Sequence, residues 1–384
     1  MKPDNKKQPS LLFTPIKVNG VTLKNRIGVS PMVTWQAAAN GIPNDFHLAH
    51  YGSFALGGAG LVMVECTAVE PRGRMASADT GIWNDAQVDA WRRITMLIKS
   101  QGSVPGIQLG HAGRKASTTK IVKRSLSDHE SGWPTIAPSA IPFGGAIDRV
   151  PIEATLEDID ALQQAFVSAA VRSVRAGFEI IELHYGHGTL SNTFLSPISN
   201  HRVDRYGGSL ANRMRFGLET VRRVRKVIPK SMPLFVRLSV TDYADNGWSV
   251  DDSVEFAKQL RAADVDVVDC SSGGVVDGIN YTPYNTPDVQ HRASARIRSE
   301  AGIATTAVGK IVDPLKAEAL LRDNSATLVF IGRALLNNPH WPYTAADLLA
   351  TEHTFKYPDS YDWCIGWKGF YKWRQSLQKD QNNN

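Results

Sequence analysis

The chain has 384 residues, 42% of them hydrophobic and 21% charged, with a formal charge of +6 from 43 basic and 37 acidic side chains. That is enough apolar chain for a large core, and the basic excess is dispersed, whereas a nucleic-acid binder gathers it on one face; the clusters at Lys120 to Arg124, at Arg222 to Lys226 and at the N-terminus read as solvated surface. No apolar run reaches the roughly 18 residues that cross a membrane and no leader-like segment opens the chain, while Cys66, Cys270 and Cys364 form neither a CxxC site nor a disulfide framework, so a reducing cytoplasm is the expected compartment.

Short, nearly continuous apolar runs alternate with longer amphipathic ones along the chain. The first strand is expected at Arg26–Met32, followed by Gly60–Val69, Val104–Leu109, Phe178–His184, Pro233–Ser239, Val265–Ser271, Ile303–Val308 and Leu328–Ile331. Runs of this kind suit strands buried on both faces. Helical periodicity is expected over Asp85–Gln101, Leu156–Ala176, Leu210–Ile228, Val250–Ala263 and Asp313–Asp323, where Asp313-Pro314 reads as N-cap and first turn. Strand–helix alternation of this length predicts a (β/α)8 TIM barrel as a single domain over residues 1–384. An open doubly wound sheet is the alternative, but no Gly-rich turn follows the first strand. Residues 111–155, rich in Gly, Pro, Ser and Lys, are expected to cap the active site as an insertion after the third strand. Residues 1–10 and 377–384 are polar and expected to lack order.

In such barrels the working residues stand at the C-terminal strand ends. Read there, strands six, seven and eight end in Ser271-Ser272-Gly273-Gly274, Gly309-Lys310 and Gly332-Arg333. Each glycine taken singly reads equally well as a tight turn, but the three together, with basic neighbours, favour a phosphate site. Arg237 lies in the apolar strand Phe235-Val236-Arg237-Leu238 and needs a partner. Either it pairs with a barrel acid such as Asp269 or Glu182, or it is a fixed cation beside a flavin ring, with Gln108 on the pyrimidine edge. His184 and His187 lack the HxH or HExxH spacing of a metal site, so no metal is expected. A neutral pair donating to a substrate oxygen is the favoured reading, a structural role the other.

The sequence resembles the old yellow enzyme family, and within it the bacterial branch called thermophilic-like ene-reductases. The match runs from about Leu12 to Pro339. Its most specific block is Phe194-Leu195-Ser196-Pro197 with Asn200-His201-Arg202, Asp204, Tyr206-Gly207-Gly208-Ser209, Asn212-Arg213 and Arg215-Phe216. Ser30-Pro31-Met32, His111-Ala112-Gly113-Arg114-Lys115, Ala137-Pro138-Ser139-Ala140 and Phe330-Ile331-Gly332-Arg333 add to it. The resemblance implies non-covalent FMN, with Ser30, Pro31, Met32, Cys66, Gln108 and Arg237 lining the ring. Ser272, Gly273, Gly309, Gly332 and Arg333 would hold the phosphate. It implies reduction of the flavin by NAD(P)H and transfer of hydride from N5 to the β-carbon of an activated alkene held by the catalytic pair His184 and His187. The expected partner is a small, apolar or aromatic enone-like molecule, and the expected assembly a homodimer or homotetramer.

The departures from the family pattern lie in the same site. Val33 stands where relatives carry a flavin-tuning cysteine, Thr189 where they carry the tyrosine that protonates the α-carbon, and Trp35 where they carry a further tyrosine. Trp35, Tyr185 and Thr189 are the expected substrate contacts, with Tyr185 a candidate replacement acid. Near the C-terminus, where relatives often place an arginine that reaches a partner subunit, the chain reads Tyr361 to Trp367, including Trp363. These changes leave open an FMN enzyme with altered chemistry: aryl-CoA ester reduction, isomerisation or dehydrogenation.

Overall fold

The structure is a computed structural model and describes residues 9–38, 40–121, 123–279, 288–349 and 355–365. Trp367 and residues 377–384 lie outside the described residues, as do 1–8. Pro9 and Ser10 lie inside them, and Ser10 is no part of a loose tail: it is buried and donates to Glu318 at 2.7 Å.

Eight parallel strands close into a barrel: β1 (Ile27–Val29), β2 (Leu61–Ala68), β3 (Val104–Gly110), β4 (Ile180–Tyr185), β5 (Leu234–Ser239), β6 (Val267–Ser271), β7 (Ala304–Val308) and β8 (Leu328–Ile331). Closure is made by β8 on β1, with Phe330 opposite Gly28 and Ile331 opposite Val29. The first strand is shorter than the apolar run suggests. Ser30 still donates its N–H to Ile331 at 3.0 Å, and Pro31, with no N–H to give, ends the ladder.

The helices follow their strands: α1 (Asp45–Leu56), α2 (Asp85–Ser100), α3 (Leu156–Arg175), α4 (Leu210–Val227), α5 (Val250–Ala262), α6 (Asp288–Ala301), α7 (Pro314–Arg322) and α8 (Trp341–Leu348). Side-chain N-caps start several of them, from Asn84, Thr155, Ser209, Ser249 and, as expected, Asp313. α1 escaped the periodicity reading because its buried face is His47, Tyr51, Gly52, Phe54 and Ala55, polar and aromatic in place of aliphatic.

Alternation along the strands sorts the side chains into two cores. Leu61, Met63, Val104, Ile180, Phe235, Val267, Leu328 and Phe330 fill the barrel's lower interior, closed below by Val18 and Leu23 of an antiparallel hairpin, Ile16–Val18 with Val21–Leu23. Ile181, Leu183, Tyr185, Val236, Leu238 and Val268 point outward to the helices. The inward row continues upward as Gln108, Glu182, Arg237 and Asp269, all buried, and then as His184, Ser239 and Ser271. The barrel is therefore apolar at its base and polar beneath its C-terminal rim.

Candidate active site

The insertion between β3 and α3 folds over that rim. Arg114, buried, donates to the carbonyls of Ile141 at 3.1 Å and Pro142 at 3.0 Å and to Val275 across the barrel. Two adjoining cavities open beneath it and share the lining residues Pro31 and Arg237. One, of about 530 Å³, is lined by Ser30, Met32, Gly309, Lys310, Gly332 and Arg333 among others. The other, of about 230 Å³, is lined by Val33, Cys66, Gln108, Lys115, His184, His187 and Thr189 among others. A larger cavity, about 900 Å³, lies at the opposite end of the barrel among Arg222, Arg225, Lys226 and Asp266, away from the strand ends that carry chemistry.

Arg237 stands between the two site cavities. Its Nε lies 3.2 Å from Asp269 Oδ2, and its Nη1 donates to Ser30 Oγ at 3.1 Å. The two readings of this residue are thus compatible: it pairs with a barrel acid and also faces the cavities. Thr306 donates to the other Asp269 oxygen. Gln108 donates to Glu182 Oε1 at 2.8 Å, and Glu182 Oε2 has no partner among the described residues. Burial pushes the Glu182 carboxyl up to about 8, helped by Asp269 and opposed by Arg237. Asp269 is raised by burial too, against the pull of Arg237. One guanidinium therefore faces two acids, of which Glu182 keeps its proton near neutral pH.

The histidines form a relay. His184 Nε2 lies 3.3 Å from His187 Nδ1, and His187 Nε2 lies 2.6 Å from Ser271 Oγ. Ser239 Oγ accepts the backbone N–H of His187 at 2.8 Å and holds it at φ 57°. Both rings are held well below the ordinary value of 6.5, by burial first and then by Arg237, so both are neutral at physiological pH. Among the described residues the buried His184 Nδ1 has no partner.

At the other end, Gly309 sits at φ 103°, a conformation that favours glycine, and an added Cβ would lie 1.9 Å from Gln290 Oε1. Gly332 and the exposed Arg333 complete that rim. Ser272 and Gly273 are placed differently from these. The N–H of Gly273 donates to Thr241 at 2.9 Å, and Ser272 Oγ accepts from Tyr243 at 2.8 Å and from Gln290 at 2.9 Å. Among the described residues the Ser272 hydroxyl accepts two hydrogen bonds and donates none, which leaves its proton for an anion; the Gly273 N–H is already engaged.

Three expected substrate contacts separate. Thr189 lines the smaller cavity, but its hydroxyl donates to the carbonyls of Gly186 at 2.9 Å and His184 at 3.1 Å. Trp35, at φ 54°, lies under the Lys123 ammonium, 5.8 Å from the ring centroid. Tyr185 does not reach the cavity: it follows the inward-facing His184 by one residue, so it points outward, where its hydroxyl donates to Gly217 at 3.1 Å. Contrary to expectation, Tyr185 is neither a substrate contact nor an acid of the site but a packing residue between barrel and helices. Trp363 is exposed, and its indole N–H donates to Ser360 at 3.1 Å.

The sequence reading passed over other residues of the site. Lys115 and Lys123 line the smaller cavity, and so do Met75 and Asp79. Lys115 was visible only as part of a family block, and nothing local marks Asp79. Ser271, next to the expected Ser272, is the one that reaches a histidine.

A long polar rim with a glycine cradle at one end, and a buried guanidinium beside a half-enclosed cavity at the other, suit FMN. Ser30, Pro31, Met32, Gln108 and Arg237 would flank the ring, and Gly309, Gly332, Arg333 and the Ser272 hydroxyl its phosphate. Such a site on a closed parallel barrel defines a class, the flavin-dependent TIM-barrel oxidoreductases. A sequence model of the NADH:flavin oxidoreductase / NADH oxidase family matches residues 11–352. An NADPH dehydrogenase of Bacillus velezensis is 45% identical over 343 residues, which cover 89% of this chain and 96% of that one. Morphinone reductase superposes with a TM-score of 0.74 at 26% identity, covering 88% of this chain and 90% of that one. A 2-naphthoyl-CoA reductase gives a TM-score of 0.80 at 22% identity; the match covers 88% of this chain but 52% of that one, a likeness of fold. The chain belongs to the old yellow enzyme family and is an FMN-dependent NAD(P)H oxidoreductase.

Proposed function

We propose that this enzyme reduces carbonyl-activated alkenes, with the histidine pair holding the carbonyl oxygen: His184 donates through Nδ1, and His187, engaged at both nitrogens, orients the His184 ring. FMN, held along its ring by Ser30, Pro31, Met32, Gln108 and Arg237, would supply the two-electron chemistry that moves hydride from NAD(P)H to the β-carbon. The observation that carries the reading is the relay from Ser271 through His187 to His184 beside the smaller cavity. Neutral imidazoles donate hydrogen bonds without surrendering a proton, and they stabilise the charge that builds on a carbonyl oxygen as its alkene is reduced. Ser271 orients the His187 ring, and the hydrogen bond from the His187 N–H to Ser239 Oγ fixes its place. Arg237, beside Ser30, would supply a cation to answer the negative charge of a reduced flavin ring.

Loss of one donor to a developing oxyanion typically costs about 10²–10³ in rate. His184→Ala is therefore expected to keep its FMN, to be reduced by NADPH at nearly the parent rate, and to be reoxidised by 2-cyclohexenone about 10²-fold more slowly or worse. A phenol titrated into the parent should give a long-wavelength charge-transfer band that weakens in the variant. Equal loss of both half-reactions would give His184 a structural role instead.

One observation favours the second reading, altered chemistry at the same flavin. Thr189 turns its hydroxyl to its own turn, and a threonine is far less acidic than a phenol of pKa about 10. With Tyr185 pointing outward, neither residue offers the α-carbon a phenol. Thr189→Tyr should then speed reoxidation by cyclohexenone by up to the 10²–10⁴-fold that general acid catalysis is worth, with flavin reduction unchanged. No acceleration would move the second reading ahead.

A further inference from the structure

The cavity beside the histidine pair is lined by two lysines that have no carboxylate within ion-pair distance among the described residues. Lys115 Nζ donates to the backbone carbonyls of His187 at 2.8 Å and Gly274 at 3.3 Å, and lies 4.5 Å from the centroid of the Phe143 ring. Lys123 reaches the same cavity from the exposed side of the cap, with its ammonium over Trp35. Among the described residues neither lysine forms a salt bridge. Burial lowers the Lys115 pKa to about 7, and the positive charges of Lys123 and Arg114 add to it, so near neutrality Lys115 carries less than a full charge until an anion binds beside it. Arg237, on the cavity wall, is engaged with Asp269.

One acid lines the cavity. Asp79 has its Oδ2 held by the N–H of Met75 at 2.7 Å, and burial pushes its carboxyl up to about 7, so near neutrality it carries less than a full charge. The histidines are neutral. Like charges in a half-enclosed, low-dielectric space focus a positive potential, which a bound anion relieves. An apolar enone leaves that repulsion in place.

We infer that the physiological substrate is an anion: a carbonyl-activated alkene that also bears a carboxylate, bound by Lys123 and Lys115 on the cap side while the histidine pair holds its carbonyl. This rests on the reading of the histidine pair above. The rings of Trp35 and Phe143, each under one of the two lysine nitrogens, hold those groups in place.

Binding to the oxidised FMN enzyme tests this without turnover, by perturbation of the flavin spectrum. The probes are 3-benzoylacrylate and its primary amide, near-isosteric enones that differ by one charge, with p-methoxyphenol as a neutral ligand for the histidine pair. The acid should bind about tenfold tighter than the amide or better, with the advantage shrinking as salt is added. Lys123 is exposed, so Lys123→Glu is compatible with folding; its acid-to-amide ratio should fall to one or invert. A ratio near one in the parent overturns the inference, and so does a ratio that survives Lys123→Glu. A parent that binds the phenol but neither probe also overturns it. Failure to bind any of the three defeats the histidine-pair reading and this inference together.

Discussion

Whether a side chain of β4 serves the site is decided by parity. Ile180, Glu182 and His184 face the barrel axis, and Ile181, Leu183 and Tyr185 face the helices. That alternation is present in the sequence once the strand is accepted, and it would have excluded Tyr185 as an acid beside His184. Reading the strand end as a cluster of chemistry-bearing residues, without counting its period, is what kept Tyr185 in view. The Asp269 partner of Arg237 was legible for the same physical reason, since a guanidinium in an apolar strand requires one. The proton on Glu182 was not, because it follows from two acids sharing one cation across three strands. It has a measurable consequence. A carboxyl whose folded pKa of about 8 exceeds its ordinary 4.5 binds its proton more tightly in the folded chain. Its stabilising effect is complete below the unfolded value and is lost as pH rises through about 8. Glu182→Gln cannot ionise, so its melting temperature should fall less than the parent's between pH 5 and pH 9. Parallel melting curves across that range would show that Glu182 is ionised throughout.

Among the elements, the barrel strands were plain in the sequence and the cap was plain only as an interruption. Its internal order comes from hydrogen bonds to backbone carbonyls, which leave no periodic trace. Arg202 donates to Pro138 at 2.9 Å and to Ala154 at 2.6 Å, and Ser139 accepts the N–H of His201 at 2.9 Å. Asn200 donates to Phe194 at 2.7 Å and Tyr206 at 2.8 Å, and Arg213 to Leu195 at 2.8 Å. The block by which the family is most readily recognised is thus largely a brace that ties the cap to α4, while the residues that touch the cavity are scattered singly over the strand ends. Arg114 is the cap's anchor to the barrel, and burial lowers its pKa to about 10 without removing its charge. Hydrogen bonds to a charged donor contribute about 1.5–3 kcal/mol each. Arg114→Met should free the cap, so that limited proteolysis cuts within residues 116–150 several-fold faster than in the parent, while the barrel's melting temperature shifts by only a few degrees. An unchanged digestion pattern would mean that the cap is held elsewhere.

At the scale of the molecule, an apolar plug fills the base of the barrel and a layer of buried polar groups lies above it, beneath the cavities. The alternation of eight strands and helices carries that plan in the sequence, and the resemblance supplied the flavin. What the sequence concealed is the sign of the cavity's charge, because Lys115, Lys123 and Asp79 come from different stretches of loop and meet only when the cap closes. The central claim, that this barrel uses its flavin to reduce a carbonyl-activated alkene beside His184 and His187, is tested most directly by a single anaerobic turnover. The enzyme is reduced with one equivalent of NADPH carrying deuterium at its transferable position and mixed with 2-cyclohexenone. The account predicts that the flavin is reoxidised without oxygen and that cyclohexanone forms with deuterium at the β-carbon, one per flavin. A flavin that stays reduced until air is admitted, with no saturated ketone formed, would contradict it.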